Sequence, residues 1–156
     1  MPNTEILVSV FATPVDQKIN PGPPGPGRRF VFSLDLQLDK FKGQEQHPPP
    51  HVGTYSGIVT VLREPDANDN FYKNRGVLVE YQSTYKFEAV VPIEAGEITE
   101  QGVLYFGFIG GNLTIVGSKE FAITGGTGPY KTARGSITAP GETGVTSNIR
   151  LLDIQL

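Results

Sequence analysis

Residues Phe121 to Ile137 read FAITGGTGPYKTARGSI and contain ITGGTG, the kind of glycine string with which a nucleotide-binding turn cradles a pyrophosphate. That chemistry needs a strand before the glycines, a helix N-terminus facing the anion after them, and an acidic residue about 20 positions on. Here Pro129, Tyr130, Lys131 and Thr132 follow, then Gly135, Ile137, Thr138 and Pro140, a glycine-broken, β-branched stretch unsuited to a crossover helix. The residues support a strand, a tight turn and a second strand, with Gly125, Gly126 and Gly128 supplying positive φ. His47 and His51 bracket three prolines without the further ligands a metal site requires. Asp66, Asn68 and Asn70 begin like a calcium loop, but Phe71 stands where the sharp turn needs glycine and Val77 where the bidentate glutamate belongs. Two histidines four residues apart build no Ser-His-Asp arrangement, and the chain has no cysteine for thiolate chemistry. The expectation is a protein that uses neither metal nor cofactor.

A net charge of −3 disfavours nucleic acid or an anionic membrane as the main partner, because both reward clustered Lys and Arg. A small neutral or apolar ligand fits better. The N-terminus, MPNTEILVSVF, shows no basic n-region and no long apolar h-region, so the expected location is cytoplasmic.

The elements that must position any site are strands. The 19 glycines and 13 prolines fall between stretches rich in Val, Ile, Phe, Tyr and Thr, which places strands near 5–13, 28–39, 52–63, 76–88, 96–107, 112–124, 129–138 and 145–155. Eight strands in one domain spanning 1–156 suit an antiparallel barrel or sandwich, and eight is the number at which a barrel interior just holds one small ligand. Long loops are expected at 14–27 and 40–51, where they would flank a barrel mouth. Phe30, Phe32, Leu34 and Leu36 alternate with Val31, Ser33, Asp35 and Gln37, so both faces of this strand are partly apolar. Packing on both faces points to a homo-oligomer, a dimer or trimer.

FAITGGTGPYKTARGSI resembles both the AITGG turn of plant allene oxide cyclases and the VVGGTG…ARG signature of dirigent proteins, two groups that share one eight-stranded barrel. VSVFATP (8–14), RRFVFSLD (28–35), VGTYSG (52–57), YQSTYKFE (81–88) and GEITEQG (96–102) resemble the first five strands of that family in order. The resemblance implies an all-β, eight-stranded antiparallel barrel of the allene oxide cyclase/dirigent, lipocalin-like type. Ala12 stands where allene oxide cyclases carry a glutamate, Val59 where they carry a pocket cysteine, and Asp35 where they carry an asparagine and dirigent proteins an aspartate. Pro21 matches a proline beside their bound water. Allene oxide cyclisation is therefore not expected. GTYSGIVTVLREP also resembles small bacterial barrel cyclases of polyketide biosynthesis, some of the Diels-Alder type.

On that alignment Val8, Val10 and Ala12, then Val31, Ser33, Asp35 and Gln37, then Tyr55 and Val59 point inward, since strand side chains alternate with period 2. Tyr81, Tyr85 and Phe87 share one face of their strand and Tyr105 is a further lining candidate. Asp35 is the expected catalytic residue, its pKa raised by an apolar barrel so that it moves a proton; the alternative is a structural hydrogen bond. Arg134 is an inward anion anchor or a brace, and Tyr130 carries the same ambiguity. The implied function is a cofactor-independent cyclase or isomerase that folds a linear, polyketide-like chain for ring closure. A dirigent-like stereocontrol protein and a small-molecule carrier are the alternatives.

Overall fold

Tyr81, Ser83, Tyr85 and Phe87 alternate with Gln82, Thr84 and Lys86, and in an extended chain that pattern sends the first set to one face and the second to the other. The computed structural model, which describes residues 3–19, 27, 29–64, 68, 76–109, 112–116, 120–139 and 149–156, shows this alternation along the whole segment: the first four are buried, and the other three are exposed or half-buried. The same logic builds ten strands: β1 (Thr4–Ile19), β2 (Arg29–Phe41), β3 (Gln44–Glu45), β4 (His51–Arg63), β5 (Val77–Phe87), β6 (Gly96–Ile109), β7 (Asn112–Val116), β8 (Glu120–Gly126), β9 (Arg134–Thr138) and β10 (Ile149–Gln155).

Eight of them form a ring. The order β1-β10-β9-β8-β6-β5-β4-β2 returns to its start because β1 also pairs with β2, and every pairing is antiparallel. Closure satisfies the ladder groups that an open sheet leaves at its edges. β3 is a short return on β2, made at a turn where Lys42 and Gly43 both have positive φ. β7 and β8 lie end to end along the edge of β6 that faces away from β5, so the single strand expected at 112–124 occurs as two pieces. Inside the ring, Ile6, Val8, Val10, Leu36, Leu38, Ile98, Ile137, Leu152 and Ile154 form an apolar core with the interior tyrosines.

The two expected loops are modified by strand pairing. β1 runs on to Ile19 and pairs Gln17, Lys18 and Ile19 with Phe32, Val31 and Phe30 after a register shift, so 14–19 is strand; residues 20–26 lie outside the described residues. Within 40–51, Lys40 and Phe41 complete β2, and Gln44 and Glu45 form β3.

The glycine turn is structural. After β8 the chain makes a one-turn 3₁₀ helix, Gly128–Tyr130, with Gly128 at φ +60°. This turn drives Tyr130 into the barrel end, where its ring lies 5.7 Å from that of Phe87 and its hydroxyl donates to the Glu94 carbonyl at 2.9 Å. Gly126 is required by close approach: a Cβ there would sit 2.3 Å from the Glu97 oxygen and 2.5 Å from the Tyr130 oxygen. Arg134, at the start of β9, is exposed and so is no inward anchor. Gly126→Ala is expected to lose about 3 kcal/mol or more, or to prevent folding, because two backbone segments must part. Gly43→Ala meets open space and is expected to lose only about 1–2 kcal/mol from its positive φ. Urea midpoints of the two variants check this contrast.

Candidate active site in the barrel interior

Cross-strand register stacks the interior in rungs. One rung runs Leu34, Tyr55, Tyr85, Ile98 and Gly126 across β2, β4, β5, β6 and β8; the next runs Phe32, Gly57, Ser83, Glu100 and Ile123. An acidic side chain therefore stands in a largely aromatic and aliphatic wall, with Ser83 as its cross-strand neighbour. Glu100 is 1 % exposed.

A carboxylate that leaves water needs compensation from hydrogen bonds and opposite charge. Tyr55, on β4, reaches past β5 and donates its hydroxyl to Glu100 Oε1. Its ring stacks on that of Tyr85 with centroids 4.3 Å apart and planes 17° from parallel, and Phe32 packs against it at 5.1 Å. Arg150, on β10 opposite Val8, is also buried, and its Nη1 donates to the Ile149 carbonyl at 2.9 Å. Compensation is partial. Glu100 Oε2, the Tyr85 hydroxyl and the Ser83 hydroxyl are buried without a hydrogen bond of good geometry.

Burial accordingly raises the Glu100 carboxyl to about 7, against the opposing pull of the Tyr55 hydrogen bond, the Arg150 charge and the nearby Ser83 hydroxyl. Burial, followed by the neighbouring Glu100 charge, pushes Tyr55 far up. Tyr85 is raised by burial and then by Tyr55 and Glu100. Tyr81 is pushed up to about 12 by burial and the Glu100 charge; its hydroxyl lies over Gly102, where a Cβ would come within 2.6 Å, and its ring meets Phe121 edge-on at 5.2 Å. The arrangement is a carboxyl poised to take or give a proton near neutral pH, coupled to a phenol and lined by flat rings.

Of the lining residues expected from sequence, Tyr55, Tyr81, Tyr85 and Phe87 are interior, and Val59 is partly buried against the core. The side chain of Ala12, and Asp66, Asn70 and Phe71, lie outside the described residues. The inward placement of Val31, Ser33, Asp35 and Gln37 is corrected. Leu34 is the partner of Tyr55, and Leu36 and Leu38 are fully buried, so the odd-numbered residues from Val31 to Gln37 face outward, with Val31 40 % exposed. Asp35 lies on that outer surface, its Oδ1 3.4 Å from His51 Nε2, while His51 Nδ1 is 3.7 Å from Glu88 Oε2. Tyr105 shares the outer parity of Gln101 and Val103, opposite to Glu100 and Leu104. Among the described residues no cluster of three or more His, Cys, Asp and Glu side chains is arranged to hold a metal ion, and no helix is long and apolar enough to cross a membrane.

The chain is thus an all-β, closed eight-stranded antiparallel barrel of the dirigent-like type. Among solved structures it is similar to a pyocyanin demethylase, with a TM-score of 0.60 and 20 % identity over 97 % of this chain and 99 % of that one. It is also similar to a pterocarpan synthase dirigent protein, with a TM-score of 0.50 and 17 % identity over 99 % of this chain and 84 % of that one. No protein-family model and no curated protein sequence matches it.

Because the folded carboxyl binds its proton more tightly than the unfolded one, the native state holds the extra proton between pH 4.5 and about 7. Stability is therefore fully present below about pH 4.5 and is lost as pH rises through about 7, by up to about 3 kcal/mol. Glu100→Gln is expected to abolish this fall. Urea unfolding at pH 5 and pH 8, wild type beside variant, measures it.

Proposed function

We propose that this barrel is a cofactor-independent isomerase or cyclase acting on a small, largely apolar organic molecule, with Glu100 as its general acid and base. The observation that carries the reading is the buried Glu100 carboxyl, held by Tyr55 on one oxygen and free on the other, with its pKa near neutrality. In the ionised form Glu100 takes a proton from a carbon beside a substrate carbonyl, and the C–H electron pair moves into an enolate. The same carboxyl then returns the proton at a different atom. Substrate and product have one formula and no electrons leave the site, so the cycle requires neither oxidant nor reductant.

Ring closure follows the same pattern when protonated Glu100 hydrogen-bonds a carbonyl while the new bond forms. The stacked Tyr55 and Tyr85 rings and the edge-on Tyr81–Phe121 pair supply rigid surface against which a flexible, polyketide-like chain is ordered, and ordering alone lowers a barrier by up to about 7–11 kcal/mol. A Diels-Alder type cycloaddition belongs to this class. The fold similarity to a demethylase and a pterocarpan synthase supports small-molecule transformation in such barrels. The aromatic wall also favours a second reading, in which the barrel only steers the stereochemistry of a ligand or carries it.

Comparative mass spectrometry of the source organism with and without the gene separates these readings. Deletion is expected to accumulate a compound of unchanged mass but different retention and ultraviolet spectrum. Wild-type protein is expected to convert it in substoichiometric amount, and Glu100→Gln about 10²–10⁴-fold more slowly. Asp35→Asn, on the outer surface, is expected to stay within about threefold of wild type. A deletion strain that keeps every product and alters only amounts or stereochemical ratios sinks the catalytic reading in favour of steering or carriage.

We also propose self-association through the outer face, where Val31 and Ile58 are direct cross-strand partners, each about two-fifths exposed, with Leu62 further along β4. Ile58→Lys is expected to lower the mass measured by light scattering to that of one chain. An unchanged mass rules this face out.

A further inference from the structure

The outer face of β2, β4 and β5 carries charge at four corners. Cross-strand register sets Arg29, Thr60 and Glu80 in one outward rung and Asp35, Thr54 and Lys86 in another, about 20 Å along the strands. Within each rung the two charges are opposite in sign and flank β4 about 10 Å apart, and their order reverses from one rung to the other. Asp35 meets His51 through Oδ1, at 3.4 Å, and a carboxylate accepts on both oxygens. On β4 itself Ile58 faces out between the charged rungs and Leu62 beyond them, each about two-fifths exposed. A face patterned in this way is complementary to itself. A two-fold axis lying along β4 brings Asp35 opposite the partner's Lys86 and Arg29 opposite the partner's Glu80, each twice, while Ile58 meets Ile58 and Leu62 meets Leu62. An axis running across the strands also pairs opposite charges, Arg29 with Asp35 and Glu80 with Lys86, but seats Ile58 on Ser56. Matching of apolar surface selects the axis along β4.

We infer that the partner on this face is a second copy of the chain, docked about a two-fold axis along β4, with Asp35–Lys86 and Arg29–Glu80 pairs crossing between copies around a seam of Ile58 and Leu62. The inference rests on the proposed self-association and adds its symmetry and its pairing. Sheets packed face to face keep their strands within about 30° of each other, an offset that the Lys, Arg and Glu side chains span.

Charge reversal read by light scattering and sedimentation velocity tests the axis. Wild type is expected at the mass of two chains. Asp35→Lys and Lys86→Asp each place two like-charge contacts in the dimer and are expected to weaken it at least about tenfold. Mixed in equal amounts, the two variants are expected to regain close to wild-type affinity, since each supplies the charge the other has lost. Both substitutions in one chain are expected to dimerise as well. Thermal melts establish that each variant is folded, and where Asp35→Lys is not, Arg29→Glu mixed with Glu80→Arg takes its place with the same expectation. Folded variants that show no rescue on mixing overturn the axis. Rescue of Asp35→Lys by Arg29→Asp overturns it in favour of the axis across the strands. A wild-type mass of three chains also overturns it. In each of these cases, loss of association in Ile58→Lys leaves the proposed face standing. Wild type at the mass of one chain at every concentration overturns both.

Discussion

Pairing of β1 with β2 closes the sheet, and closure decides which atoms of this chain meet water. Once the ring is shut, each strand has one face inside and one outside, and the period of two leaves no freedom within a strand except at a bulge. A single choice of phase on β5, which buries Tyr81, Ser83, Tyr85 and Phe87, propagates through the register to Tyr55 on β4 and to Ile98 and Glu100 on β6. Glu100 is interior because its strand is registered to a strand that is interior at that position. Its chemistry is a consequence of closure.

The fold was legible because turn residues and β-branched runs alternate along the chain and because the glycine turn is a distinctive string. The same string lacked the helix that phosphate binding needs, and the structure shows its glycines serving instead to lower Tyr130 into the barrel end. The phase of β5 was legible and its bounds came within one residue at each end, since from Val79 on only one of its faces is apolar. β2 was not. Phe32, Leu34 and Leu36 face in, yet Val31 is apolar on the other face, so hydrophobic alternation could not set the phase and a distant family pattern set it wrongly. Asp35 was consequently placed inside, and the carboxyl that is inside went unread. A signal for it existed: Ile98, Glu100, Gly102 and Leu104 share a parity, as do Arg150, Leu152 and Ile154, and each set contains one charge among small or apolar residues.

The interior charges are interdependent. Tyr55 and Arg150 both favour ionised Glu100, while desolvation, the largest effect, opposes it and leaves the carboxyl near neutrality. A hydrophobic residue at position 100 alone would take the acceptor from the buried Tyr55 hydroxyl and the opposite charge from the buried Arg150, which costs stability, whereas replacing both charged residues together is often neutral or stabilising. Stability alone therefore gives no reason for placing two charges in this wall. The orphaned Oε2 and the two orphaned hydroxyls extend the point, because a polar network kept only for structure tends to be fully satisfied.

Rigidity completes the physical case for chemistry inside this barrel. Tyr55 is held by the Tyr85 stack, by the Phe32 contact and by its bond to Glu100, three restraints from three different strands. Tyr81 is seated over Gly102 because that position has no side chain to displace it, and Phe121 fixes its edge. Groups held in this way have little to reorganise when a neighbouring charge changes, and screened from water each dipole acts more strongly than it would in solvent. A closed barrel thus supplies the low dielectric that tunes the carboxyl and, through the same strand pairings, the fixed geometry of the groups around it.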